Sequence, residues 1–135
     1  MGNVRTPADG LDLIEAAGVD ARLVIDCVHL VRTGGTAETL RALPPARIGY
    51  VQLCDGPASI AFEQVGVEAS GNRLYPGEGE FPLVDILNVI SRAVPVGLEV
   101  PNVARQRRGI PALDRARDAL NAARSILQHV ERRTP

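Results

Sequence analysis

The chain has 135 residues, the length of one domain. Its 45% hydrophobic and 23% charged content excludes a disordered or fibrous chain, and a 3% aromatic share leaves a core of Leu, Ile, Val and Ala with few platforms for stacking nucleic-acid bases. With 15 basic and 16 acidic residues the net charge is −1, so no global field draws in a polyanion or an acidic membrane, and since every base is Arg, lysine chemistry is excluded.

Residues 7–18 place Leu11, Ile14 and Ala17 on one face and close on Gly18, which predicts a short helix with a glycine stop. Residues 22–28 form an apolar run of buried-strand character that carries Asp26 near its C-terminal end. A turn at 33–35 and a short helix over 36–43 follow, ended by Pro44 and Pro45. The second apolar strand, 47–54, contains Gln52 and is followed at once by Asp55. Residues 56–80 read as a long loop rich in Gly and Pro, of the kind that carries function. A helical period returns over 81–93, a third apolar run with Glu99 near its end occupies 96–100, and a long helix is expected over 111–131 with Leu113, Ala116, Leu120, Ala123 and Leu127 as its buried stripe. Only two cysteines, no secretory pattern and no apolar run of about 18 residues point to a reducing cytoplasm and no membrane span.

Helices alternating with apolar strands predict a single α/β unit of parallel βαβ repeats over 1–135. Three strands cannot close a barrel, so the unit is a small open sheet or a segment of a larger barrel. Functional groups in such folds sit at the C-terminal ends of strands, where Asp26, Gln52 and Glu99 all fall. Two carboxylates and an amide oxygen suit a hard divalent cation; each also has an ordinary use as a helix cap or ion-pair partner. His29, at the mouth of such a site, suits a substrate hydroxyl or a proton, or else caps a surface. His129 is expected on a solvated helix face. Arg73, just before Pro76 and Gly77, carries a donor fork suited to an anionic or polyhydroxylated ligand, and Arg73→Ala is expected to weaken such binding without unfolding the chain. Asp55 in Asp-Gly-Pro has the makings of a cap or Asx turn, and Cys27 and Cys54 those of small buried apolar residues.

Four stretches in order, Val-Ile-Asp-Cys-Val-His-Leu (24–30) with Arg32-Thr-Gly behind it, Tyr-Val-Gln-Leu-Cys-Asp (50–55), Arg-Leu-Tyr-Pro-Gly-Glu-Gly-Glu (73–80) and Gly-Leu-Glu-Val (97–100), resemble the C-terminal half of the sugar phosphate isomerase/epimerase family, the xylose-isomerase-like barrels. The resemblance implies a partial (β/α)8 barrel holding roughly its last three strands. It implies Asp26, Gln52 and Glu99 as ligands of a divalent metal (Mg, Mn, Co or Zn), His29 and Arg73 as substrate contacts, and Glu99 and His29 as the catalytic pair. The implied reaction is metal-assisted isomerisation or epimerisation of a sugar or another polyhydroxylated carbonyl compound. Gln52 is also similar to the dehydroshikimate-dehydratase branch, which makes a lyase the alternative, and a non-catalytic binding or assembly module is a further one. Family members supply another metal-binding Glu from a fifth strand that has no counterpart here, so the lone chain is expected to be inactive or to be completed by a second copy or a complementary half-barrel chain. A sheet cut from a barrel also has open edges, which predicts an oligomer.

Overall fold

The computed structural model describes residues 4–130. Residue 131, and with it the extreme ends of the expected 1–135 unit, lies outside the described residues. Pro7 opens the first helix, α1 (Pro7–Ala17), where a missing N–H costs nothing; Thr6 and Asp9 cap it reciprocally, and Gly18 stops it at φ 63°. The first strand, β1 (Leu23–Asp26), ends two residues before the expected limit because Asp26 turns the chain. Its Oδ1 accepts the Val28 N–H at 3.0 Å and so caps α2 (Cys27–Arg32). Then come α3 (Ala37–Arg41), β2 (Ile48–Leu53), α4 (Val65–Gly71), α5 (Leu83–Asn88), β3 (Val96–Leu98), α6 (Val103–Arg107) and α7 (Ala112–Gln128). The expected helices over 36–43 and 81–93 thus form as α3 and α5, each trimmed at its ends.

Helices α2, α4 and α6 are additions to the sequence reading. They have six, seven and five residues, too few to display a helical period, and α4 lies inside the stretch expected to be loop. The long α7 forms as expected and buries part of the expected stripe, Ala123 and Leu127. Ala119, Ala123 and the partly buried Ile126 and Leu127 face the core, whereas Leu113 and Leu120 are exposed.

The three strands are parallel in the order β1-β2-β3, with Ile25 opposite Val51, Asp26 opposite Gln52, Gln52 opposite Gly97 and Leu53 opposite Leu98. Since side chains alternate along a strand, Ile25, Val51 and Leu53 share one face and are buried with Leu40, Leu83, Ile86, Leu87, Ile90 and Ala123. Val24, Asp26, Tyr50, Gln52 and Gly97 share the other face. That face is not covered by helices: Val24 is 56% and Tyr50 37% exposed. The phenol of Tyr50 lies where a Cβ at position 97 would sit, so Gly97 is what lets this ring lie across β3.

Candidate active site at the strand ends

The register that pairs Asp26 with Gln52 and Gln52 with Gly97 sets the carboxylate and the amide side by side at the ends of β1 and β2. Glu99 follows one residue past β3, tied in by its N–H, which donates to the Leu53 carbonyl at 3.2 Å. All three line one cavity of about 400 Å³, together with His29, Arg73 and residues of the segment leading into α1, among them Arg5, Thr6 and Pro7. The five residues expected at a site are thus brought to one place. His129 lies outside it, exposed just after α7, with Nδ1 2.9 Å from the Ser125 carbonyl.

Arg73 enters the site through a loop that a buried carboxylate folds. Asp55, 1% exposed, accepts four backbone N–H groups: Gly56 (2.8 Å) and Phe81 (3.0 Å) on Oδ1, Gly77 (2.8 Å) and Gly79 (3.1 Å) on Oδ2. The Pro-Gly-Glu-Gly stretch therefore wraps a carboxylate. Gly77 adopts φ 87°, and a side chain at Gly79 would collide with Asp55 and the Gly56 backbone. A second buried tie, from Arg32 Nε and Nη2 to both Glu68 oxygens at 2.6 Å, fastens α2 to α4; Arg32 also donates from Nη2 to the Pro57 carbonyl (2.8 Å) and lies over the Phe81 ring. Sequence reasoning quoted Arg32 in a family motif without giving it a partner and passed over Glu68, 36 residues away.

The guanidinium of Arg73 is buried among the strand ends. Its Nη1 donates to Asp26 Oδ2 at 2.8 Å and to the Glu99 carbonyl at 3.4 Å and stands 3.5 Å from Glu99 Oε2; its Nε donates to the Ala69 carbonyl at 2.8 Å. Nη2 donates to none of the described residues. Burial works against the charge of Arg73, but the hydrogen bond and charge of Asp26, with smaller contributions from Cys54 and Glu99, outweigh it and leave the pKa above its usual value. Burial also pushes the Cys27 thiol up to about 12, with Cys54 and the nearby carboxylates adding to it. Cys54, whose Sγ is 3.8 Å from Arg73 Nη1, is raised to about 11 by burial and by Asp26 against the pull of Arg73. Both thiols are protonated and inert at neutral pH, as small buried residues should be.

Among the described residues no group of three or more His, Cys, Asp or Glu side chains is placed to hold a metal ion, and the expected set counts the Gln52 amide as its third oxygen. The donor set nevertheless fits a hard cation. It is all oxygen, its members end neighbouring strands, and the two carboxylates already meet at a single positive atom, Arg73 Nη1.

No protein-family model matches the chain, and no curated protein matches its sequence. Solved structures do match. The IolI protein with a bound zinc atom superposes with a TM-score of 0.69 at 20% identity, covering 92% of this chain and 42% of that one. This chain has the fold of part of a xylose-isomerase-like TIM barrel. A xylose isomerase domain protein from Alicyclobacillus acidocaldarius subsp. acidocaldarius matches at TM-score 0.61 and 28% identity over 73% of this chain and 35% of its own. A fusion of a xylose-isomerase-like TIM barrel with a 4-hydroxyphenylpyruvate dioxygenase matches at TM-score 0.63 and 25% identity over 73% of this chain and 16% of its own. The chain spans less than half the length of each of these barrel proteins, and its uncovered sheet face is the one that lines the interior of a closed barrel.

Proposed function

We propose that the chain is the C-terminal part of a sugar isomerase/epimerase-like barrel whose strand-end site moves a proton beside the carbonyl of a sugar or another polyhydroxylated carbonyl compound. The observation that carries this reading is the convergence of Asp26, Gln52 and Glu99 on one sheet face at a cavity they share with His29 and Arg73. The IolI structure, which carries zinc, supports a metal-assisted form of the reaction. A divalent cation held by the three side-chain oxygens would polarise the substrate carbonyl and acidify the neighbouring C–H. Glu99, whose side chain is 40% exposed, takes and returns the proton. The exposed His29 holds a substrate hydroxyl, and Arg73 Nη2 donates to a substrate oxygen. One base suffices to carry a proton between neighbouring carbons on the same face; epimerisation needs a second base on the opposite face, which must come from outside this set. A second copy or a complementary half-barrel completes the site and covers Val24 and Tyr50. The two buried free thiols suit a reducing cytoplasm.

The test is solvent exchange. Ketoses and ketose phosphates incubated with the protein and Mn²⁺ in D₂O should gain deuterium on the carbon beside the carbonyl, read by NMR, and Glu99→Gln should slow the exchange by about 10²-fold or more. An assembled protein that takes up Mn²⁺ and exchanges nothing overturns the reading. Appearance of an ultraviolet-absorbing unsaturated product without exchange assigns a dehydration in its place.

A further inference from the structure

We infer that Asn102 is a positioning residue of the strand-end site: its side-chain amide ties the backbone of Arg73 to the segment that carries Glu99 and so sets where the guanidinium and the carboxylate meet. Its part in turnover rests on the proton-transfer reading of that site. The amide has a partner on each side. Oδ1 accepts the Arg105 N–H at 3.0 Å and caps α6, while Nδ2 donates to the Arg73 carbonyl at 3.0 Å. The two partners, an N–H and a carbonyl, fix which way the amide faces. The backbone extends the link, since Asn72 and Asn102 form an antiparallel bridge and the Arg73 N–H donates to the Pro101 carbonyl at 3.1 Å.

Arg73 is thus gripped through both its N–H and its carbonyl by Pro101 and Asn102, which follow Glu99 closely on the same segment. A long arginine side chain has much rotamer freedom to lose, and a fixed backbone is what lets its guanidinium return to one place. The guanidinium closes the link from its own end, where Nη1 donates to the Glu99 carbonyl at 3.4 Å and stands 3.5 Å from Glu99 Oε2. Helix α6 holds the far end of the same loop. Arg105 lies over the Tyr75 ring, 3.9 Å from its centroid, and its Nη2 donates to Glu78 Oε1 at 2.5 Å, while Glu78 Oε2 accepts the Tyr75 N–H at 3.0 Å. By capping α6 with one atom and holding Arg73 with the other, Asn102 joins both ends of the loop to the segment of Glu99. Only an amide supplies the acceptor and the donor together; a carboxylate at this position would cap the helix and turn an oxygen towards the Arg73 carbonyl.

NMR of the full chain tests the inference on Asn102→Asp, which keeps the cap and replaces the donor by an acceptor, and on Asn102→Ser, which keeps a capping oxygen that is a bond too short to stand in for Nδ2. Each is studied below its own unfolding midpoint. The Arg73 Nε–H signal, assigned by its loss in Arg73→Lys, should exchange with water at least about tenfold faster in both variants than in the wild type, and kcat for deuterium exchange into a ketose or ketose phosphate should fall at least about tenfold with it. An unchanged signal or an unchanged kcat in both variants is the mark of a residue that only caps α6, and overturns the inference. A wild type that exchanges no substrate overturns the proton-transfer reading alone; the Arg73 signal then decides, an unchanged one overturning the positioning role and an accelerated one upholding it. Should neither variant fold, the wild type decides: the Asn102 Nδ2 proton that meets the Arg73 carbonyl should be protected, and exchange of both side-chain amide protons at the rate of a free asparagine overturns the inference.

Discussion

Asp55 illustrates how a carboxylate next to the candidate site serves the fold. It is 1% exposed and spends both oxygens on the N–H groups of Gly56, Gly77, Gly79 and Phe81. Asp55→Asn turns one acceptor oxygen into a donor that faces two of these N–H groups, so we expect a loss of about 2 to 4 kcal/mol in urea unfolding. Arg73 carries a similar load. The sequence reading expects Arg73→Ala to spare stability, but removing this buried guanidinium strands Asp26, and a loss of about 3 kcal/mol is expected by the same measurement. The thiols give a pH dependence. Because Cys27 is raised from 9.0 to about 12 in the folded state, the folded chain keeps a proton that the unfolded chain releases, so its contribution to stability is complete below pH 9 and is lost as the pH rises towards 12. Denaturant midpoints measured across that range should fall with pH in the wild type and fall less steeply in Cys27→Ala.

The convergence of the strand-end polar residues was legible at the level of elements because each strand is an apolar run that ends on a polar residue, and a parallel sheet brings such ends together. Asp26, Gln52 and Glu99 needed no more than that. What spacing could not show is the long-range wiring: Asp55 meets partners 22 to 26 residues away, and Arg32 meets Glu68 at a separation of 36. The buried face of α7 was read correctly at Ala123 and Leu127 and misread at Leu113 and Leu120, because Leu carries more apolar weight than Ala in a periodicity argument, whereas close packing also favours the small Ala119. Substitutions on this helix separate the two faces. Ala123→Leu should overpack and cost about 1 to 3 kcal/mol, while Leu120→Gln should stay within about 0.5 kcal/mol of the wild type, both read from denaturant melts.

For the whole molecule the governing fact is that a parallel sheet, which elsewhere is covered on both faces, is covered here on one. Among the exposed large apolar side chains are Val24 and Tyr50 on the open sheet face, Leu13 on α1, and Leu113 and Leu120 on α7. Light scattering after gel filtration should therefore give a species larger than one chain, and Val24→Asp, which sets a charge on the open face and leaves the core untouched, should return it to a monomer. A monomeric wild type would remove the argument for assembly. The ring of Tyr50 across Gly97 also gives the molecule its own optical gauge. The chain has no Trp and two Tyr, and Tyr75 is buried beneath Arg105, so the tyrosine emission that iodide can reach comes from Tyr50. Quenching that disappears as protein concentration rises would report, without any label, the moment at which the interior of the barrel closes.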